Sequence, residues 1–283
     1  MSTYELGQYE KSMPSNLNWK EKLKLCKEFG FDFLEMSIDE SSSKLSRLDA
    51  TKEERTTLRN LIFEMGVPIH SICLSGHRKY PLGHCDENVQ KKALMIMQKA
   101  IQLADDLGAR IIQLAGYDVY YEKGTLETKQ IFEKNLNIAV EMAAKKGILL
   151  GFETMETPFM DTVEKSMKFV EKIKSPYLGV YPDIGNLKNA SLLYGKSVNA
   201  DLKIGEGHIL ATHLKETLPS FYREIPFGSG HSEFIENISV LKQQGVRMFV
   251  GEFWYTGNVE WKEDCKQAAT FLRQKLDAVF QGE

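Results

Sequence analysis

Two hydrophobic periods take turns along this chain. Short apolar or β-branched runs stand at 5–9 (ELGQY), 31–38 (FDFLEMSI), 68–74 (PIHSICL), 110–116 (RIIQLAG), 148–154 (ILLGFET), 177–183 (YLGVYPD), 208–214 (HILATHL) and 247–253 (RMFVGEF). Each is of strand length. Between them lie charge-rich segments of helical period, such as 19–30, 87–108 and 127–147. Gly30, Gly66, Gly108, Gly147 and Gly245 each stand just before a predicted strand, where a helix ends in a left-handed residue. The pattern predicts eight βα units. With right-handed connections, eight such units close into a parallel (β/α)8 barrel, the TIM barrel. A doubly wound open sheet is the alternative, but it has fewer strands and a Gly-rich first turn, which ELGQYEKSMP lacks.

No linker or low-complexity tract divides the chain, so one barrel domain over 1–283 is expected, and barrels of about 250 residues form single units. Hydrophobic residues make up 42%, enough for a sizeable core. Lys plus Arg number 36 against 39 Asp plus Glu, and a net charge of −3 provides no basic field for nucleic acid. Cys26, Cys73, Cys85 and Cys265 form no CxxC pair and read as reduced thiols. No stretch approaches the roughly 20 apolar residues of a membrane span, and the N-terminus has no signal-like apolar core. A cytoplasmic location is expected.

In such a barrel, chemistry gathers at the C-terminal ends of the strands. Strand five ends at Glu153, strand six at Asp183, strand seven at His213 and strand eight at Glu252. Separations of 30, 30 and 39 residues assign each to a different βα unit. Three carboxylates and an imidazole at one mouth repel one another unless a cation lies among them. A lone acid at a strand end is often a helix N-cap or half of a salt bridge, but four at corresponding positions point to a divalent metal. Oxygen-rich ligation with one nitrogen suits Mn²⁺, Mg²⁺ or Co²⁺ and is accepted by Zn²⁺.

At these residues the chain resembles the xylose-isomerase-like superfamily of sugar isomerases and epimerases. LGQYEKSMP, FDFLEMSIDE, LSRLD, CLSGHRKYPLG, IQLAGYDVYY, YPDIGN and PFGSG are together similar to the bacterial L-ribulose-5-phosphate 3-epimerases, also called L-xylulose-5-phosphate 3-epimerases, of L-ascorbate utilisation. The resemblance implies that Glu153, Asp183, His213 and Glu252 are metal ligands and that the two glutamates are the acid/base pair. It places Asn186 where related free-ketose epimerases commonly have a substrate-binding histidine, and Arg223 where they have a substrate-contacting arginine.

The expected reaction interconverts L-xylulose 5-phosphate and L-ribulose 5-phosphate. A divalent metal acidifies the C3 proton of a bound ketose, one glutamate removes it, and the other reprotonates the opposite face. Cationic donors for the phosphate are sought in Lys11 after strand one, His77 and Arg78 after strand three, and Arg223 after strand seven. Solvated loop charge is the plain alternative for Lys11, Arg78 and Lys79, and a backbone hydrogen bond for His77. His70 is expected to be a satisfied core histidine within strand three. His84, His208 and His231 are set aside, Met95 and Met97 read as core packing, and Trp254 either walls the pocket or packs beneath the eighth loop.

Other functions within reach are aldose–ketose isomerisation, apurinic-endonuclease-like hydrolysis and non-catalytic sugar-phosphate binding. Six histidines and negative charge disfavour the hydrolase. Paired glutamates disfavour mere binding. Expected partners are a small ketopentose phosphate and, as a homodimer, a second copy of the chain, with no nucleic acid and no membrane.

Overall fold

The computed structural model describes residues 3–281. Its eight strands are β1 (Glu5–Tyr9), β2 (Phe33–Ser37), β3 (Ile69–Leu74), β4 (Ile111–Ala115), β5 (Leu149–Glu153), β6 (Leu178–Tyr181), β7 (Thr212–Leu214) and β8 (Met248–Gly251). Each falls within its predicted run. Helices Trp19–Glu28, Lys52–Met65, Glu87–Leu107, Leu126–Ala144, Val163–Ile173, Ile184–Tyr194, Phe234–Gln243 and Trp261–Phe280 lie between or after them, with shorter helices at Ser42–Leu45 and Val198–Ile204. The helices at Trp19 and Lys52 open in reciprocal capping boxes, Asn18 with Glu21 and Thr51 with Glu54, which satisfy orphan amides. The five glycines expected to end helices all have positive φ, between 64° and 91°.

All strand pairs are parallel, in the order β6-β5-β4-β3-β2-β1-β8-β7. Between β6 and β7 only isolated bridges complete the ring, Val180 with Ile209 and Asp183 with His213. The predicted seventh strand is therefore shortened to three residues. Pro182 has no amide to donate at this seam, and accepts from the His213 amide at 2.9 Å instead.

Alternation divides the strand side chains into two cores. Leu6, Leu34, Ile72, Leu114 and Phe152 face the helices. Tyr9, Phe33, Cys73, Ile111, Tyr181 and Val250 fill the barrel. A Cβ on Gly7 would lie 2.3 Å from the Phe33 ring, so the glycine leaves room for that interior aromatic. On the helix Glu87–Leu107, Met97 is fully buried but Met95 is 38% exposed. The core reading fails for Met95 because residues two apart lie about 200° apart around a helix. His70 corrects another expectation: it lies on the barrel's lower rim, partly exposed, against Phe33 and 3.5 Å from Glu5. All four cysteines are free. Among the described residues, no helix is long and apolar enough to cross a membrane.

Candidate active site

At the C-terminal mouth, Glu153 is the last residue of β5, and Asp183 follows β6 and caps the helix Ile184–Tyr194. His213 lies within β7, and Glu252 follows β8. Asp183 Oδ1 accepts the Asn186 amide at 2.8 Å, and its own amide donates to Thr154 Oγ1 at 2.9 Å. It is thus both the helix cap and a site acid. One ligand atom from each of Glu153, Asp183, His213 and Glu252 lies within 4.8 Å of the others, and all four residues are buried.

The proton positions of His213 follow from its neighbours. Nε2 lies 2.6 Å from Glu35 Oε1, while Glu35 Oε2 accepts from Ser71 Oγ at 2.6 Å and Tyr181 OH at 2.9 Å. With Oε2 already accepting twice, Oε1 is the oxygen left to accept from Nε2. Nδ1 faces Glu153 Oε1 and Glu252 Oε2, each at 3.4 Å, with the Gln113 amide nitrogen at 3.3 Å. Against the effect of burial, the Glu35 and Glu252 charges and the contacts to Glu153 and Glu252 hold the imidazole pKa well above its ordinary value, so a metal arriving at Nδ1 would displace a proton there.

Lys215, also buried, places Nζ 2.7 Å from Asp183 Oδ2 and 3.2 Å from Glu252 Oε2. No donor is aligned for a hydrogen bond on either oxygen. Burial pushes Asp183 up to about 8 against the pull of Lys215, and burial with the nearby Glu252 charge raises Glu153. Burial opposes ionisation of Glu252 too, but Lys215 and His213 outweigh it and hold that carboxyl well below its usual range. Lys215 and the imidazole of His213 are the positive groups this cluster supplies against its three carboxylates. Three carboxylates and one imidazole nitrogen, with two oxygens lacking aligned donors, fit a divalent cation.

Above the cluster opens a narrow cleft. Lys11, Arg78, Asn186 and Arg223 line it, together with Tyr9, Ser75, Glu156, Lys215 and Trp254. Trp254 therefore walls the pocket. A larger cleft beyond Trp254 contains none of the four clustered donors, so it is not where the chemistry lies. Lys11 Nζ pairs with Asp39 at 2.6 Å, and Arg223 donates to Glu156 Oε1 at 3.2 Å. Asn186 Nδ2 donates to the Thr154 carbonyl at 2.8 Å, leaving its buried Oδ1 without a partner.

His77 does not join them. Its buried ring turns away from the cleft, with Nε2 3.1 Å from the Ala93 carbonyl, and burial lowers its pKa to about 4. In the tight turn Ser75–Arg78, adjacent side chains diverge, so Arg78 enters the cleft and His77 the helix layer. Glu35, Lys215 and Glu156 were not expected in the site. A signal existed for two of them: Glu35 alternates with Phe33 along β2, and Lys215 with His213 beyond β7, which turns both inward.

The family model described as a xylose isomerase-like TIM barrel matches residues 23–275. The L-ribulose-5-phosphate 3-epimerase UlaE of Escherichia coli (strain SMS-3-5 / SECEC) is 45% identical over 240 residues, 85% of this chain and 83% of that protein. SgbU of Haemophilus influenzae, provisionally named for the same activity, is 42% identical over 284 residues and 98% of each chain. Among solved structures, a D-tagatose 3-epimerase-like protein aligns with a TM-score of 0.79 at 19% identity, covering 98% of both chains. An L-ribulose 3-epimerase aligns at 0.76 and 17%, covering 98% of this chain and 96% of that one. At such identities the structural likeness concerns the fold.

Proposed function

Because the chain belongs to the xylose isomerase-like TIM-barrel family, and within it to the L-ribulose-5-phosphate 3-epimerases, we propose that this isomerase interconverts L-xylulose 5-phosphate and L-ribulose 5-phosphate, with Glu153 and Glu252 as its proton-transfer pair. The observation that carries this reading is the convergence of two buried glutamates with Asp183 and His213 at one barrel mouth.

Glu153, Asp183, His213 through Nδ1, and Glu252 would hold a divalent cation, with Mn²⁺, Mg²⁺, Co²⁺ and Zn²⁺ all compatible with the donor types. When bound, that cation supplies Lewis acidity that makes the C3 proton of a ketose easier to remove. Inversion needs a carboxylate on one side of C3 and a carboxylic acid on the other. Glu153 and Glu252 come from strands three apart around the ring, so they can meet the sugar from different sides. One accepts the C3 proton on a carboxylate oxygen, and the other delivers a proton to the opposite face.

Lys215 keeps an ammonium beside Glu252 and Asp183, offsetting their charge. Asn186 presents its unpartnered Oδ1 as an acceptor for a sugar hydroxyl. Incubating the metal-loaded protein with L-xylulose 5-phosphate and following it by NMR tests the proposal. L-ribulose 5-phosphate should appear; an aldose phosphate as sole product, or no change, would overturn it.

A further inference from the structure

The cations of the cleft differ in what already neutralises them. Lys11 is paired with Asp39, Arg223 with Glu156, and Lys215 with Asp183 and Glu252. Arg78 has no such partner among the described residues. It is half-buried on the cleft wall, no carboxylate oxygen comes within ion-pair distance, and its Nε is buried without an acceptor. A guanidinium partly withdrawn from water with no carboxylate in contact is costly, so its retention on a cleft wall marks a place where an anion is received.

The surroundings fix its position. Arg78 Cζ lies 4.5 Å from the centroid of the Tyr120 ring. That ring is held by Tyr117 at 5.0 Å between centroids and through its hydroxyl, which donates to Glu156 Oε1 at 3.1 Å. Glu156 also accepts from Arg223. Glu156 and Glu40 act on Arg78 only from beyond ion-pair distance, so its N–H fork keeps its donors for a ligand. Ser75, three residues before it, lines the same cleft. A planar fork of N–H donors lying on an aromatic face suits the tetrahedral oxygens of a phosphoryl group.

We propose that Arg78 is the phosphate anchor of the cleft, oriented by Tyr120 and assisted by the Ser75 hydroxyl, and that it takes the phosphoryl oxygens at C5 while the four-donor cluster takes the ketose end. The identity of the ligand rests on the epimerase reading above. On this assignment Arg223, engaged by Glu156, serves the sugar rather than the phosphate. His77, expected as a second phosphate donor, has no part in it.

Xylitol 5-phosphate and xylitol, which lack the carbonyl and cannot turn over, separate this proposal from that reading. Calorimetric titration of the full-length, metal-loaded protein should show preference for the phosphate ester, with inorganic phosphate competing for it. Arg78→Gln should reduce the ratio of the two affinities by about 10²-fold, the scale of losing charge-assisted bonds to a buried anion. Arg78→Lys, which keeps the charge but not the fork, should fall between, and Arg223→Gln should weaken both ligands together. An unchanged ratio in Arg78→Gln, or equal loss of both ligands with native circular dichroism, would make Arg78 a strut on Tyr120 and overturn the proposal. An Arg78-dependent preference in a protein that does not epimerise L-xylulose 5-phosphate would uphold the anchor and reject the reaction.

Discussion

His213 reaches Glu35 through the barrel interior: imidazole Nε2 and carboxylate Oε1 are 2.6 Å apart, with neither side chain exposed. The pair joins β7 to β2 and leaves Nδ1 facing the carboxylates of the site. A carboxylate behind a metal-ligating histidine fixes the ring and strengthens the ligand. Glu35→Gln, similar in shape but uncharged, should therefore weaken metal binding by about 10- to 100-fold, as measured by competition with a chromophoric chelator. Native affinity in that variant would mean that the pair serves packing alone.

Removal of the metal should abolish turnover and its return should restore it, because the Lewis acidity that makes the C3 proton easier to remove leaves with it. Asp183→Asn and His213→Ala should each lose bound metal by elemental analysis. His84→Ala should not, since His84 lies in a loop where Nδ1 accepts the Asp86 amide. Full turnover by protein shown to be metal-free would refute the ligand assignment.

The two glutamates can be distinguished by solvent exchange. In D2O the wild type should place deuterium at C3 of the product, since the donating carboxyl draws its proton from solvent. Glu153→Gln and Glu252→Gln, compared at saturating metal, should both lose net epimerisation. The variant that keeps the abstracting base should still exchange the C3 proton of the starting sugar, and the other should not. Near wild-type epimerisation in both would remove the pair from the mechanism.

Burial of His77 gives stability a pH dependence of known sign. Its folded pKa, about 4, lies below the ordinary 6.5, so between those values the unfolded chain binds the extra proton. The contribution is fully present above pH 6.5 and lost as pH falls towards 4, a change on the order of 3 kcal/mol. His77→Gln keeps a donor for the Ala93 carbonyl but does not titrate. Its melting temperature should fall less than that of the wild type between pH 6.5 and 4, and parallel curves would contradict the buried neutral imidazole.

Glu153, Asp183, His213 and Glu252 could be found in the sequence because a strand fixes how high in the barrel its last residue stands, and eight apolar runs locate eight ends. Direction around the mouth is less accessible: nothing in CLSGHR separates His77 from Arg78 until the turn after β3 sends one to the helix layer and the other to the cleft. Glu35 carried an inward parity, but its partner depends on closure of the ring, which places β2 across from β7. Glu156 follows Glu153 by three residues in a loop, where neither period applies. Pro182 could have warned that the seventh strand would be short, since a proline beside a strand removes a donor from its neighbour.

The seam between β6 and β7 gives the four-donor cluster a second meaning. Three backbone hydrogen bonds, Val180 to His208, Leu210 to Val180 and His213 to Pro182, hold that join. Asp183 and His213 face one another across its upper end. A cation gripped by both would act as a clasp on the thinnest part of the cylinder, so the atom needed for reactivity would also guard against unravelling, and loss of one would loosen the other.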